Sequence, residues 1–199
     1  MSVRISTRRT AAVLLGACLL AAATACGPDK SSVSTSPKAA DSAPAASASG
    51  GSGDQGKAAG SSTAKLGDTI GLKGTEKSNT ADVTLVKVVD NAEGADEFTK
   101  PADGKRFVSV QFRIKATGSA AYADAPANSA KVLDDKGQGY SSSLDETKAG
   151  PEFPVPANIA PGESALGFIT FEVPSDAKLD KIQFAMDSGF AQQTGQWKL

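Results

Sequence analysis

Arg106-Phe107-Val108-Ser109-Val110-Gln111-Phe112-Arg113-Ile114-Lys115 decides how this chain folds. Val108, Val110, Phe112 and Ile114 alternate with Ser109, Gln111, Arg113 and Lys115. Successive side chains of a strand point to opposite faces, so this period of two predicts a strand with one buried and one wet face. Short β-prone runs flank it on both sides. Asp68 to Lys73 and Ala81 to Val89 precede it. Ser129 to Leu133, Gln138 to Ser142, Ser164 to Val173, Lys181 to Met186 and Gln196 to Leu199 follow it. Gly, Pro and Asp clusters punctuate these runs. Asp134-Asp135-Lys136-Gly137 supplies the turn dihedrals of a hairpin. Pro161-Gly162 has the order of a type II turn, with Pro second and Gly third. Pro151, Pro154 and Pro156 keep the preceding connection extended, and Asn91 to Asp103 is a loop with room for one helical turn.

About seven short strands, spaced roughly 8–15 residues apart without a strong helical period, predict an antiparallel β-sandwich. No cysteine pair is available to join the sheets, because Cys18 and Cys26 both lie upstream. The sandwich is expected to occupy residues 65–199, a normal size for one domain.

The first 25 residues read differently. Arg4, Arg8 and Arg9 precede the uncharged, Ala/Leu-rich run Ala11 to Ala25. A basic start followed by a short apolar run is a secretory signal pattern, and the run is too short to span a bilayer. Thr7-Arg8-Arg9-Thr10 also invites a twin-arginine reading, although Ala11-Ala12 is weakly apolar for it. Ala23-Thr24-Ala25-Cys26-Gly27 resembles the bacterial lipobox, with Ala23 where Leu is commonest. The resemblance implies diacylglyceryl transfer to Cys26 and cleavage between Ala25 and Cys26. The alternative is a soluble secreted protein with a free N-terminal thiol, a liability in an oxidising compartment. Two acyl chains suffice for stable attachment, where one is marginal. The expected location is the outer face of the bacterial cytoplasmic membrane.

Residues 26–64 are read as the lipidated Cys26 followed by a disordered tether rich in Ala, Gly and Ser. Val33 is the single large aliphatic residue between Gly27 and Ala64, too little apolar area to offset chain entropy. A glycosylated stalk and a cell-wall spacer are the rival readings of the same composition.

Composition narrows the function. The chain has 21 basic and 22 acidic residues and no His. Without the leader it keeps 18 basic against 22 acidic residues, with none of the clustered cations that nucleic acid demands. The absence of His removes the usual neutral-pH base and metal ligand. Asp96-Glu97, Asp134-Asp135 and Asp145-Glu146 are adjacent carboxylates in predicted turns, where neighbours diverge, and are read as solvated. Gly137-Gln138-Gly139 is a turn rather than a nucleotide loop, since no helix follows. No catalytic residue, metal site or cofactor is expected, calcium at an Asp-rich turn being the one open alternative.

A family resemblance then enters. Gly67-Asp68, Val83 to Val88, Phe98-x-x-Pro101-x-x-Gly104-Lys105-Arg106-Phe107-Val108, Gly118, Asp134-x-x-Gly137-x-x-Tyr140, Ala160-Pro161-Gly162-Glu163, Gly167 and Phe171-Glu172-Val173-Pro174 together resemble a family of bacterial secreted and lipoprotein domains of unknown function. Ala116-Thr117-Gly118 stands where the family often has Asn-Thr-Gly. The resemblance implies an immunoglobulin-like β-sandwich similar to mycobacterial immunoprotective extracellular antigens. It brings no catalytic residues. A telomeric repeat-binding label sometimes attached to such sequences has no physical support in an exported, slightly acidic domain.

The functional expectation is therefore a non-enzymatic interaction module for an extracellular protein or cell-wall ligand, tethered through Cys26. An inhibitor-type or stress lipoprotein acting on an extracellular enzyme, through a loop such as Lys148 to Asn158, is the alternative. Leu166 and Phe168, on the face opposite Ile169 and Phe171, are the candidate exposed binding surface, and Lys105-Arg106-Phe107 is a candidate binding edge. Phe98, Tyr122 and Trp197 are expected in the core or at its rim.

Overall fold

The computed structural model describes residues 31–38 and 63–199. The leader, Ala25, Cys26 and the rest of the expected tether lie outside the described residues. The elements are β1 (Ser32–Ser34), β2 (Thr69–Lys73), β3 (Thr80–Ala92), β4 (Lys105–Ala116), β5 (Tyr122–Asp124), α1 (Pro126–Ser129), β6 (Ala130–Asp134), β7 (Gly139–Ser141), β8 (Ala157–Ile159), β9 (Ser164–Pro174), β10 (Leu179–Ala185) and β11 (Gln193–Lys198). They form an all-β sandwich. One sheet runs β2-β3-β4-β9, the other β1-β11-β10-β6-β7, and β5-β8 is a small third sheet. All pairings are antiparallel except β1 with β11.

The alternation in β4 works as its sequence predicts on the inner side. Val108, Val110, Phe112 and Ile114 are buried, paired with Ile169 and Phe171 of β9 and with Val83 and Leu85 of β3 in matching register. In β3 the inward residues shift from Val83 and Leu85 to Val88, which a simple period of two does not allow. A bulge between Leu85 and Lys87 resolves this, since one extra residue flips the face. The opposite sheet contributes Val132, Ile182, Phe184 and Trp197. The Phe112 ring lies 5.3 Å from Phe184 and 6.1 Å from Trp197, joining the two sheets through tilted aromatic contacts.

Turn chemistry follows the residues. Asp134 accepts hydrogen bonds from the Lys136 and Gln138 amides at 3.0 and 2.8 Å, and Gly137 takes φ +83°. Glu163 N donates to Ala160 O at 2.9 Å across Pro161-Gly162, with Gly162 at φ +87°. The single described helical turn is α1, begun by Pro126; none lies in Asn91 to Asp103.

Three findings differ from the sequence reading. First, residues 31–38 are not an unstructured part of a tether. Ser32 N donates to Gln192 O at 2.8 Å, β1 lies beside β11, and Lys38 N reaches Thr69 O of β2 at 2.7 Å. This segment covers the side of the sandwich where the edges of both sheets meet. A three-residue strand carrying one Val has too weak a local signal to announce itself. Second, eleven strands are described rather than about seven; beyond the eight runs marked in the sequence, the additions are β1 and the short pair β5 and β8. Third, the outward face of β4 is only half wet. A strap from Ser142 to Phe153 crosses it. Ser143 N donates to Thr170 O, Lys148 N to Glu93 O, and Phe168 N to Pro151 O, at 2.7 to 3.0 Å. Under the strap, Ser109 Oγ lies 2.7 Å from Thr147 Oγ1 and 3.3 Å from Thr170 Oγ1, so these buried hydroxyls satisfy one another. Phe107 is buried on the same face, while Arg113 and Lys115 remain exposed.

The register gives the sandwich two distinct ends. At the lower end lie the turns at 74–79, 117–120 and 186–192, together with Ser32. At the upper end lie the last residues of β11, the start of β4 and the 93–104 loop.

Two predictions follow from this packing. Trp197→Ala should cost about 3–5 kcal/mol in urea unfolding, as expected for a large buried aromatic, whereas Phe98→Ala, at 86% exposure, should change stability by less than about 0.5 kcal/mol. Within the strap, burial raises the Glu152 pKa above its usual 4.5, opposed by the Thr170 hydroxyl and reinforced by Glu146 and Asp145. The folded state therefore holds a proton that the unfolded chain releases, and stability falls as pH rises through that window. Glu152→Gln should raise the melting temperature at neutral pH, and the gain should vanish below the ordinary glutamate range.

Candidate functional site

The two residues read as an exposed apolar surface are separated by the strap. Leu166 is 48% exposed on β9, but Phe168 is only 4% exposed. Gly150 explains the difference: a Cβ there would lie 2.7 Å from the Phe168 ring, so the strap can rest on the ring only because residue 150 is Gly. Phe168 is a packing residue, and the pair does not form a continuous patch. The Lys148 to Asn158 loop lies along the same edge, held by Phe153, which is buried, and by the Pro151 carbonyl. Tyr122 and Trp197 are in the core, whereas Phe98 is neither core nor rim.

The adjacent carboxylates are turn anchors. Asp96 accepts from the Phe98 and Thr99 amides at 2.9 and 2.8 Å and from the Thr99 hydroxyl at 2.9 Å. The Thr99 hydroxyl, followed by these amides, holds its pKa below the usual value. Burial pushes the Asp134 carboxyl up, but donation from Gln138, Tyr140 and Lys136 outweighs it and the net shift is downward. Asp145 accepts from the Ser143 hydroxyl within its own turn. Among the described residues no three His, Cys, Asp or Glu side chains converge as a metal site.

The three residues of the basic-aromatic stretch part company. Lys105 pairs with Glu172 at 2.7 Å, and Phe107 is buried under the strap. Arg106 turns into the upper mouth of the sandwich. Its guanidinium donates to Asp90 Oδ1 at 2.6 Å, Pro174 O at 2.5 Å and Ala177 O at 2.9 Å. Three acceptors fix both its position and its charge.

Around Arg106 the splayed sheets leave a groove of about 560 Å³, a volume suited to a small molecule or an inserted side chain. Leu66, Val88, Leu179 and Leu199 give it an aliphatic lining. Lys65, Lys178 and Lys198 add cations, with Asp90 the acidic group in the lining. Lys198 is paired with Asp180, which also holds Lys181 at 2.9 Å, and Asp90 is engaged by Arg106. Among the described residues, the Lys65 and Lys178 side chains have no ion-pair partner. The groove can therefore hold apolar surface while drawing a negative group toward its rim. Among the described residues, no hydroxyl, thiol or imidazole lines it. Sequence reading found only Arg106 here. The other lining residues come from separate stretches at both ends of the domain, and no local spacing links them.

The family model of the Domain of unknown function (DUF4352) matches residues 71–194, from within β2 to the start of β11. No curated protein matches the chain. Among solved structures, the chain is similar to the secreted protein MPT63 of Mycobacterium tuberculosis, with 17% identity, a TM-score of 0.48 and coverage of 68% of this chain and 95% of that one. It is similar to ycdA, a lipoprotein candidate of Bacillus subtilis, with 14% identity and a TM-score of 0.49 over 66% of this chain but only 38% of that one. A β-sandwich protein of Clostridium difficile 630 matches with 15% identity and a TM-score of 0.40 over 69% of this chain and 95% of that one. With β3 to β10 lying wholly inside a family match that spans more than half its length, the chain belongs to the DUF4352 family.

Proposed function

We propose that this protein is a bacterial envelope lipoprotein whose sandwich serves as an extracellular binding module rather than an enzyme. The leader and the lipobox-like Ala23 to Gly27 support attachment through a diacylglyceryl group on Cys26, at the outer face of the cytoplasmic membrane. The observation that carries the binding role is the upper groove, aliphatic within and cationic at its rim, with a guanidinium fixed in its wall. Its chemistry fits a partner that presents an apolar group next to a carboxylate or phosphate, on an extracellular protein or a cell-wall polymer. Clustered backbone phosphates are a poor match, because the available cations sit around a narrow aliphatic opening rather than along a stripe.

Two experiments test the two halves of this reading. Wild-type protein from intact cells should enter the detergent phase of a phase partition, and Cys26→Ala should move it to the aqueous phase. A Cys26→Ala protein that stays with detergent would overturn the anchor. For the groove, a photoreactive residue replacing Leu66 should crosslink a partner on intact cells. Lys65→Glu with Lys178→Glu should then lower the yield about tenfold, as the loss of two rim attractions of roughly 0.7 kcal/mol each implies. An undiminished yield would remove the groove from the binding role, and turnover of a substrate by the purified domain would overturn the module itself.

A further inference from the structure

The position of β1 changes how far the domain can stand from the attachment point, and this inference rests on the anchor reading above. Ser32 is already hydrogen-bonded into the sheet through Gln192 O. Only residues 27–31 separate it from Cys26. Whatever conformation they take, six Cα steps span at most about 22 Å. A tether of 38 residues would instead reach on the order of 35 Å on average and far more at full stretch. The lower end of the sandwich, where Ser32 enters, is therefore kept beside the lipid.

That end carries an exposed aromatic. Phe190 is 86% exposed and lies two residues before Gln192, the residue bonded to Ser32. Its turn is tightly built. Asp187, Ser188 and Gly189 have φ of 55°, 55° and 87°, the left-handed region that needs support in non-glycine residues. The support comes from two carboxylates. Asp124 accepts from Ser188 N at 2.8 Å and Ser188 Oγ at 2.6 Å. Asp187 accepts from Thr75 N at 2.5 Å and Asn79 Nδ2 at 2.9 Å, tying the turn to the β2–β3 connection. Lys131 lines the same hollow as Phe190 and brings a cation to that end.

We infer that the 186–192 turn is a membrane-seating element. Phe190 enters the interfacial region of the outer leaflet that holds the Cys26 lipid, and Lys131 faces the headgroups. An aromatic held rigidly at a lipid surface contributes burial with little loss of conformational entropy. The domain then stands with its lower end on the bilayer and its groove directed away from it.

The test uses the full lipidated chain in vesicles of phosphatidylglycerol and phosphatidylcholine containing a nitroxide-labelled phosphatidylcholine. Once Cys26 is acylated, Phe190→Cys offers one thiol for an environment-sensitive fluorophore, and Phe98→Cys places the same probe on an equally exposed aromatic position at the upper end. Loss of fluorescence and a blue shift at position 190, with neither at position 98, are expected. Vesicles that float with the protein but leave the position 190 probe unquenched would overturn the seating while sparing the anchor. Equal quenching at both positions would overturn the orientation. Protein that fails to float would remove the anchor, and the seating with it.

Discussion

The indole of Trp197 is the contact on which the two-sheet arrangement depends. It stands in β11, the last strand in sequence, and is fully buried between the sheets. One edge meets Phe112 from the opposite sheet. Its N–H donates to Asp68 O at 2.9 Å, so the ring is satisfied at its polar corner as well as its apolar faces. The ring folds back along its own strand over residue 195, where a Cβ would lie 3.1 Å from it. Gly195 is thus part of the same fit. This single side chain fixes β11 against β2, and β11 in turn provides the edge on which β1 can pair.

The legible parts of the fold are those whose signals are local. Val108 to Ile114 carry a strand in four inward side chains, and Ile169, Phe171 and Val173 do the same on β9. Asp134 with Gly137, and Pro161 with Gly162, announce their turns because the dihedrals demand those residue types. The parts that stay hidden depend on distant partners. Ser32-Val33-Ser34 becomes a strand only because β11, some 160 residues later, presents a free edge. Ser109 looks like a wet-face residue until the strap brings Thr147 over it. Leu166 and Phe168 share a face in the pattern, yet Gly150 lets the strap choose one and leave the other. The groove is the extreme case, because its lining spans from Lys65 to Leu199 and only Arg106 belongs to a visible motif.

Charge is used locally rather than as a field. Arg106, Asp124, Asp134 and Asp187 each spend their hydrogen-bonding capacity on backbone groups or nearby side chains that would otherwise lack partners. These residues set the shapes of both ends of the sandwich: an open, cation-edged mouth above and a set of interlocked turns below. The two ends differ in chemistry, and the strands between them join one to the other.

The parallel pairing of β1 with β11 has a mechanical meaning. Ser32 is the N-terminal residue of β1 and pairs with Gln193, the first residue of β11. A pull on Ser32 loads the β1–β11 hydrogen bonds together, in shear, instead of opening them one after another as a zipper would. If that short clamp yields, the bond from Ala64 N to Thr35 O and then the contacts at Lys38 take the load. Their release leaves the Trp197 core closed. The segment is placed to behave as a mechanical fuse, yielding before the Trp197 core bears force.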